Sequence, residues 1–183
     1  IFFQPDRGPF LEYDLSKIVT NLANPNRRIV GLYTDLPMLG TFNPLAKTQD
    51  AATAPPWAVY NQMKEFFEIT RVHEKTKYLP EGLELLMLVH PKSISERLMY
   101  MIDQFVLRGG KLLIFIDPNS ETENFSPDKN QIEESGNNSN LSELLNKWGI
   151  ELVENKVVGD LLSARRVEIG ASDQPSVTDY LAW

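Results

Sequence analysis

No cysteine occurs anywhere in the 183 residues. That absence excludes disulfides, thiolate nucleophiles and zinc–thiolate centres together, while leaving the compartment open. Histidine is almost as scarce. His73 and His90 are the two present, they do not form H-x-x-x-H, and the pattern argues against a zinc site. No apolar run approaches the ~20 residues that a membrane span needs, and no signal peptide is visible. A basic excess is missing as well: 18 Lys and Arg stand against 25 Asp and Glu, for a net charge of −7. Nothing in that balance is suited to neutralising nucleic-acid phosphates or to docking on anionic lipid. The glycine-rich and serine signatures of catalysis are also lacking. No G-x-S-x-G elbow occurs, and Gly109-Gly110 precedes an apolar run instead of following one, so it is neither a dinucleotide fingerprint nor a P-loop. No cofactor and no metal are expected.

What is present reads as an ordinary globular chain, 42% hydrophobic and 23% charged, long enough for one full domain and a fragment of a second. It begins at Ile1 without a methionine and ends at Trp183, and is expected to be a piece of a longer protein.

Two continuous apolar runs, Leu85 to Val89 and Leu112 to Ile116, have the character of strands buried on both faces. Residues 29–33 (IVGLY) form a third, and the polar RVHEKT (71–76) suits an edge strand. Between these runs lie helical patterns. Leu11, Leu15, Ile18, Val19 and Leu22 make a stripe expected to face a core. Pro55-Pro56 opens a second helix, with Val59, Met63, Phe66 and Phe67 on one face. A third carries Ile94, Leu98, Met101, Ile102, Phe105 and Val106, with a capping box at Ser93-x-x-Glu96 and Gly109 as its left-handed end. A fourth, 141–149, has Asn140-x-x-Glu143 in front and Gly149 behind. Residues 150–153 and 156–160 look like further strand material. The stretch 119–140 is polar and acidic, a solvated loop. This alternation predicts an α/β fold: three layers, a mostly parallel sheet with helices on both faces. The expected division is an α/β domain over 1–162 and an extended tail over 163–183, the start of a further region.

Right-handed crossovers bring the carboxyl ends of the central strands to one edge. Thr34-Asp35, His90-Pro91 and Asp117-Pro118 meet there as candidate ligand-edge residues. Two acids and an imidazole suit acid–base work or a hard cation. Asp before Pro is equally what a turn uses, because its side chain bonds nearby main-chain groups. A turn has no such need of the imidazole of His90. Trp57 and Trp148 fit helix–sheet packing better than a sugar platform.

Several segments taken together carry a family resemblance: residues 2–25, then VGLYTDLPM (30–38), PPWAVYNQMKEFFEI (55–69), LSELLNKWGIELVENKVVGD (141–160) and VTDYLAW (177–183). The most specific portion is 79–118, with IDQFVLRGGKLLIFIDP at its end. The chain resembles the auxiliary component of an uncharacterised ABC transport system, the Gld-type family linked in some bacteria to gliding motility. That resemblance implies an amidotransferase-like (flavodoxin or class I amidotransferase) α/β domain outside the cytoplasmic membrane. It further implies tethering by transmembrane helices, a permease and an ATPase as partners, and no catalytic residues to carry over.

Two functions are therefore expected in competition. One is a non-catalytic, periplasmic binding or assembly domain of the transport system. The other is a hydrolase or carbohydrate-binding enzyme working through Asp35, His90 and Asp117. A homo-oligomeric module pairing through 71–76 or 165–183 is a third expectation.

Overall fold

Leu86 and Leu88 are completely buried, as is Leu32 on the adjacent strand of the sheet, and each such side chain contributes about 2 kcal/mol of burial. These three belong to the parallel sheet that organises the protein. In the computed structural model, residues 5–42, 53–92, 94–120, 122, 137–153, 156, 158–169 and 176–180 are described. The chain forms two compact units, Ile1–Phe115 and Ile116–Trp183.

In the first unit a 3-10 turn, Pro5–Phe10, leads into α1 (Leu11–Ala23) and then β1 (Arg28–Thr34). A small antiparallel pair follows, β2 (Thr41–Phe42) with β3 (Thr53–Ala54). Next come α2 (Ala58–Phe66), β4 (Phe67–Arg71), β5 (Leu83–Val89), α3 (Glu96–Leu107) and β6 (Lys111–Phe115). The four longer strands make one sheet in the order β4-β1-β5-β6, and every neighbouring pair is parallel. The connection from β1 to β4 runs one way across the sheet and that from β5 to β6 the other. Right-handed crossovers therefore place α2 and α3 on opposite faces, and the fold is a three-layer α/β structure, as the alternation predicts. α1 joins the layer of α2. Tyr13 donates to Gln62 at 3.3 Å, Lys17 pairs with Glu65, and the Lys17 ammonium lies 5.9 Å from the centre of the Phe66 ring.

Local chemistry accounts for where elements stop. At the end of α3, Gly109 (φ 88) and Gly110 donate to the carbonyls of Val106 and Phe105 at 2.9 Å each. This is a Schellman closure, in which the left-handed residue is glycine because a Cβ is penalised there. The start of α3 differs from expectation. Ser95, not Ser93, is the cap, accepting from the Leu98 N–H at 3.4 Å; Ser93 lies outside the described residues. Glu96 is then the first helical residue, too early to close a capping box. The second helix is also shorter than its apolar pattern. It ends at Phe66, and Phe67 opens β4 because Phe67, Ile69 and Thr70 favour extended chain. The edge strand is thus Phe67–Arg71, and the expected 71–76 contributes Arg71 alone. Val72, just beyond, is 2% exposed and donates to the Leu32 carbonyl at 2.8 Å.

α1 departs most from the sequence pattern. Its apolar stripe does not face a core: no residue of the helix is buried, and Leu15, Val19 and Leu22 are 44%, 64% and 76% exposed. The helix instead turns toward α2 the flank bearing Lys17, whose charge finds Glu65 there.

The second unit contains α4 (Ser142–Lys147) and the antiparallel pair of β7 (Arg165–Ile169) with β8 (Ser176–Tyr180). Leu141, Leu144 and Leu145 are buried, and Gly149 (φ 77) closes α4 with the same pair of bonds seen after α3. Asn140 accepts from the Ser142 N–H at 2.8 Å, one position earlier than a capping box requires, since Leu141 is the cap. Glu143 bonds Lys147 one turn on. Among the described residues of 150–160 no strand forms; Ile150, Val153 and Val158 are exposed, so the burial that would favour a strand there is absent. The polar stretch 119–140 is tied at both ends. Ser120 donates to Asn137 at 2.8 Å, and both Ser120 and Ser139 are buried.

Candidate functional site

The strand order reverses direction between β1 and β5, and in open parallel sheets the crevice above the carboxyl ends at such a point is the usual ligand site. Here β1 delivers Thr34 and Asp35, and β5 delivers His90, Pro91 and Lys92. The two strand ends are joined by a side chain. The Asp35 carboxylate accepts the main-chain N–H of Lys92 at 2.8 Å through Oδ2, and its Oδ1 lies 3.5 Å from the Tyr33 hydroxyl. Thr34 turns the chain locally, its Oγ1 accepting from the Leu36 N–H at 3.1 Å.

His90 has the most unusual backbone in the cluster. Its φ is 51, the one positive value among the described non-glycine residues, and a left-handed conformation costs such a residue about 1–2 kcal/mol. The residue is 1% exposed, and its N–H donates to the Phe115 carbonyl at 2.8 Å, fastening the turn to the end of β6. Tyr33 is 4% exposed. Burial first, and then the charge and hydrogen bond of Asp35, hold its phenol well above the ordinary tyrosine pKa. It therefore stays a hydroxyl donor.

Asp117, the third expected residue, belongs to the other unit and is engaged locally. Its Oδ1 accepts from the Asn119 N–H at 2.9 Å, an Asx turn. Its main-chain N–H and carbonyl are both bonded by the Ser139 hydroxyl, at 2.7 and 3.1 Å. The geometry thus brings Asp35 and the His90–Lys92 turn together and leaves Asp117 in a turn of its own. Three participants were not foreseen from sequence. Lys92 acts through its backbone, which any residue but proline supplies; Tyr33 looks like one more apolar position of a buried strand; and Ser139 sits in a stretch whose composition suggests only solvation.

Among the described residues no group of three or more acidic or histidine side chains is placed to hold a metal ion, and no helix is long and apolar enough to cross a membrane. A groove of about 570 Å³ opens at the opposite, amino edge of the sheet, beside Asn26, Arg27, Lys64 and Phe67. Arg27 there donates to the Lys64 carbonyl at 2.8 Å, which closes off the last turn of α2.

The family model described as an ABC-type uncharacterized transport system matches residues 27–183. No curated protein and no solved structure matches the chain.

Proposed function

Because the chain belongs to the ABC-type uncharacterized transport system family, whose members are auxiliary components of such systems, we propose that it is a non-catalytic binding and assembly domain. In this reading it faces the periplasm, is tethered by transmembrane helices elsewhere in the full-length protein, and accompanies the permease and ATPase of a system of the kind linked to gliding motility. An amidotransferase-like ancestry of the domain fits the same reading. The observation that carries it is the family match, which runs from just before β1 to Trp183. The chemistry of the two strand-end acids supports it, since each carboxylate is occupied with a main-chain N–H, Asp35 with Lys92 and Asp117 with Asn119. Such bonds build turns and fix strand ends.

Affinity isolation of the full-length protein from detergent-solubilised membranes tests the proposal. Co-recovery of a permease and an ATPase is the expected result, and recovery of neither would overturn it. Turnover of a small compound that is lost on substitution of His90 would replace it with an enzymatic function.

A further inference from the structure

Strand β4 (Phe67–Arg71) is an edge of the parallel sheet, and among the described residues no strand pairs with its outer side. One bond fixes which way its main-chain groups point. Val72 donates to the Leu32 carbonyl at 2.8 Å, so by the two-residue alternation of a strand Glu68 and Thr70 also bond toward β1, and Ile69 and Arg71 face outward. The Phe67 N–H is taken by the Met63 carbonyl at the end of α2. The edge therefore offers the N–H groups of Ile69 and Arg71 as donors and the carbonyls of Phe67, Ile69 and Arg71 as acceptors. A groove of about 570 Å³ opens beside Phe67, Glu68 and Ile69, leaving the amino half of the edge room for another chain. Beyond Val72 the chain turns, with the Thr76 N–H on the His73 carbonyl at 2.8 Å, so the strand goes no further.

We propose that this edge pairs with itself: two copies of the chain join β4 to β4, antiparallel, with Ile69 on the two-fold axis. In that register each Ile69 exchanges N–H and C=O with its counterpart, and each Arg71 N–H meets the Phe67 carbonyl of the other copy, so every outward donor is used. The side chains agree with the main chain. Ile69 lies on Ile69, the Arg71 cation comes against the Phe67 ring, and Glu68 stands opposite Thr70. Neighbouring registers are poorer. An axis at Glu68 would set two carboxylates directly opposite each other, and an axis at Thr70 would leave Phe67 facing the turn that begins at His73. The groove also holds Arg27 and Lys64, and the chain carries a net charge of −7; at about 0.15 M salt, charges more than about 8 Å apart are largely screened. This inference is independent of the transport partnership, because it concerns two copies of this chain and not the complex they join.

The test combines sedimentation equilibrium of the full chain over a concentration series with residue-resolved amide hydrogen exchange on the same samples, at about 0.15 M salt. The mass is expected to rise toward that of two chains. In step with it the Ile69 and Arg71 amides should slow, while those of Glu68, Thr70 and Val72, already bonded to β1, stay protected at every concentration. Arg71→Pro deletes an outward N–H and spares the bonds to β1; it should weaken association by about tenfold or more, since the symmetry removes two hydrogen bonds at once. If the proline chain does not fold, Ile69→Lys places two cations on the axis and should weaken association at least as much. A mass of one chain throughout the series would overturn the proposal. So would association that leaves Ile69 and Arg71 exchanging at unchanged rates, because another surface would then join the copies, or association that neither substitution weakens.

Discussion

A phenol that is 4% exposed and faces a carboxylate has two reasons to keep its proton. For Tyr33 burial is the larger, and the negative charge of Asp35 adds to it. The consequence for stability has a definite sign. Below about pH 10, the ionisation point of an unfolded tyrosine, both states hold the proton and the folded protein has its full stability. As pH rises above that value the unfolded chain loses the proton first, so stability falls toward the higher folded-state pKa. Urea unfolding measured at several pH values above about 9 should show this decline in the unaltered chain. Tyr33→Phe should flatten it and remove the latest-ionising component from the ultraviolet titration; an unchanged slope would contradict the assignment.

At the scale of elements, α1 and α3 carry similar apolar stripes and use them differently. Leu98 and Ile102 of α3 are completely buried, and Leu98→Ala should cost about 3 kcal/mol through lost transfer and a residual cavity. Leu22 on α1 is 76% exposed, and Leu22→Ser should change stability by less than about 0.5 kcal/mol. Denaturant midpoints of the two variants distinguish the helices, and a comparable loss from both would mean that α1 is a core element after all. Periodicity reveals that a helix has an apolar side; it does not reveal whether anything covers that side. The ends of elements followed the same division. Gly109 and Gly149 could be recognised because left-handed closure requires glycine. The cap of α3 could not be assigned uniquely, since Ser93 and Ser95 are both suitable residues and the choice depends on where the chain leaves the Lys92 turn. Similarly, residues 67–71 continue the apolar spacing of α2, and only pairing with β1 distinguishes them as a strand.

For the whole molecule, the layered α/β architecture was legible because parallel strands leave unbroken apolar runs, as in Leu85–Val89, although only Leu86 and Leu88 of that run are buried. The run Leu112–Ile116, expected to be buried on both faces, falls mostly in the edge strand β6, where Leu113 and Phe115 are exposed. The strand-end positions of Asp35 and His90 followed from right-handed crossovers. The bonding between them was not legible. The contact of Asp35 with Lys92 spans 57 residues and depends on the register of β1 against β5, which no local pattern encodes. The limits of the two compact units, which meet at Phe115 and Ile116, likewise do not coincide with the composition change at 119 that suggests a loop.

The interleaved order β4-β1-β5-β6 has a consequence for biogenesis. Translation delivers β1 to the cytosol or translocon well before either flanking strand, and the flank nearer in sequence, β4, can satisfy one side alone. The other side must wait until residue 89 has emerged. A nascent chain arrested shortly before Leu83 should thus be readily digested by protease, and one released past Phe115 should resist, so protection would arrive in a single late step during elongation.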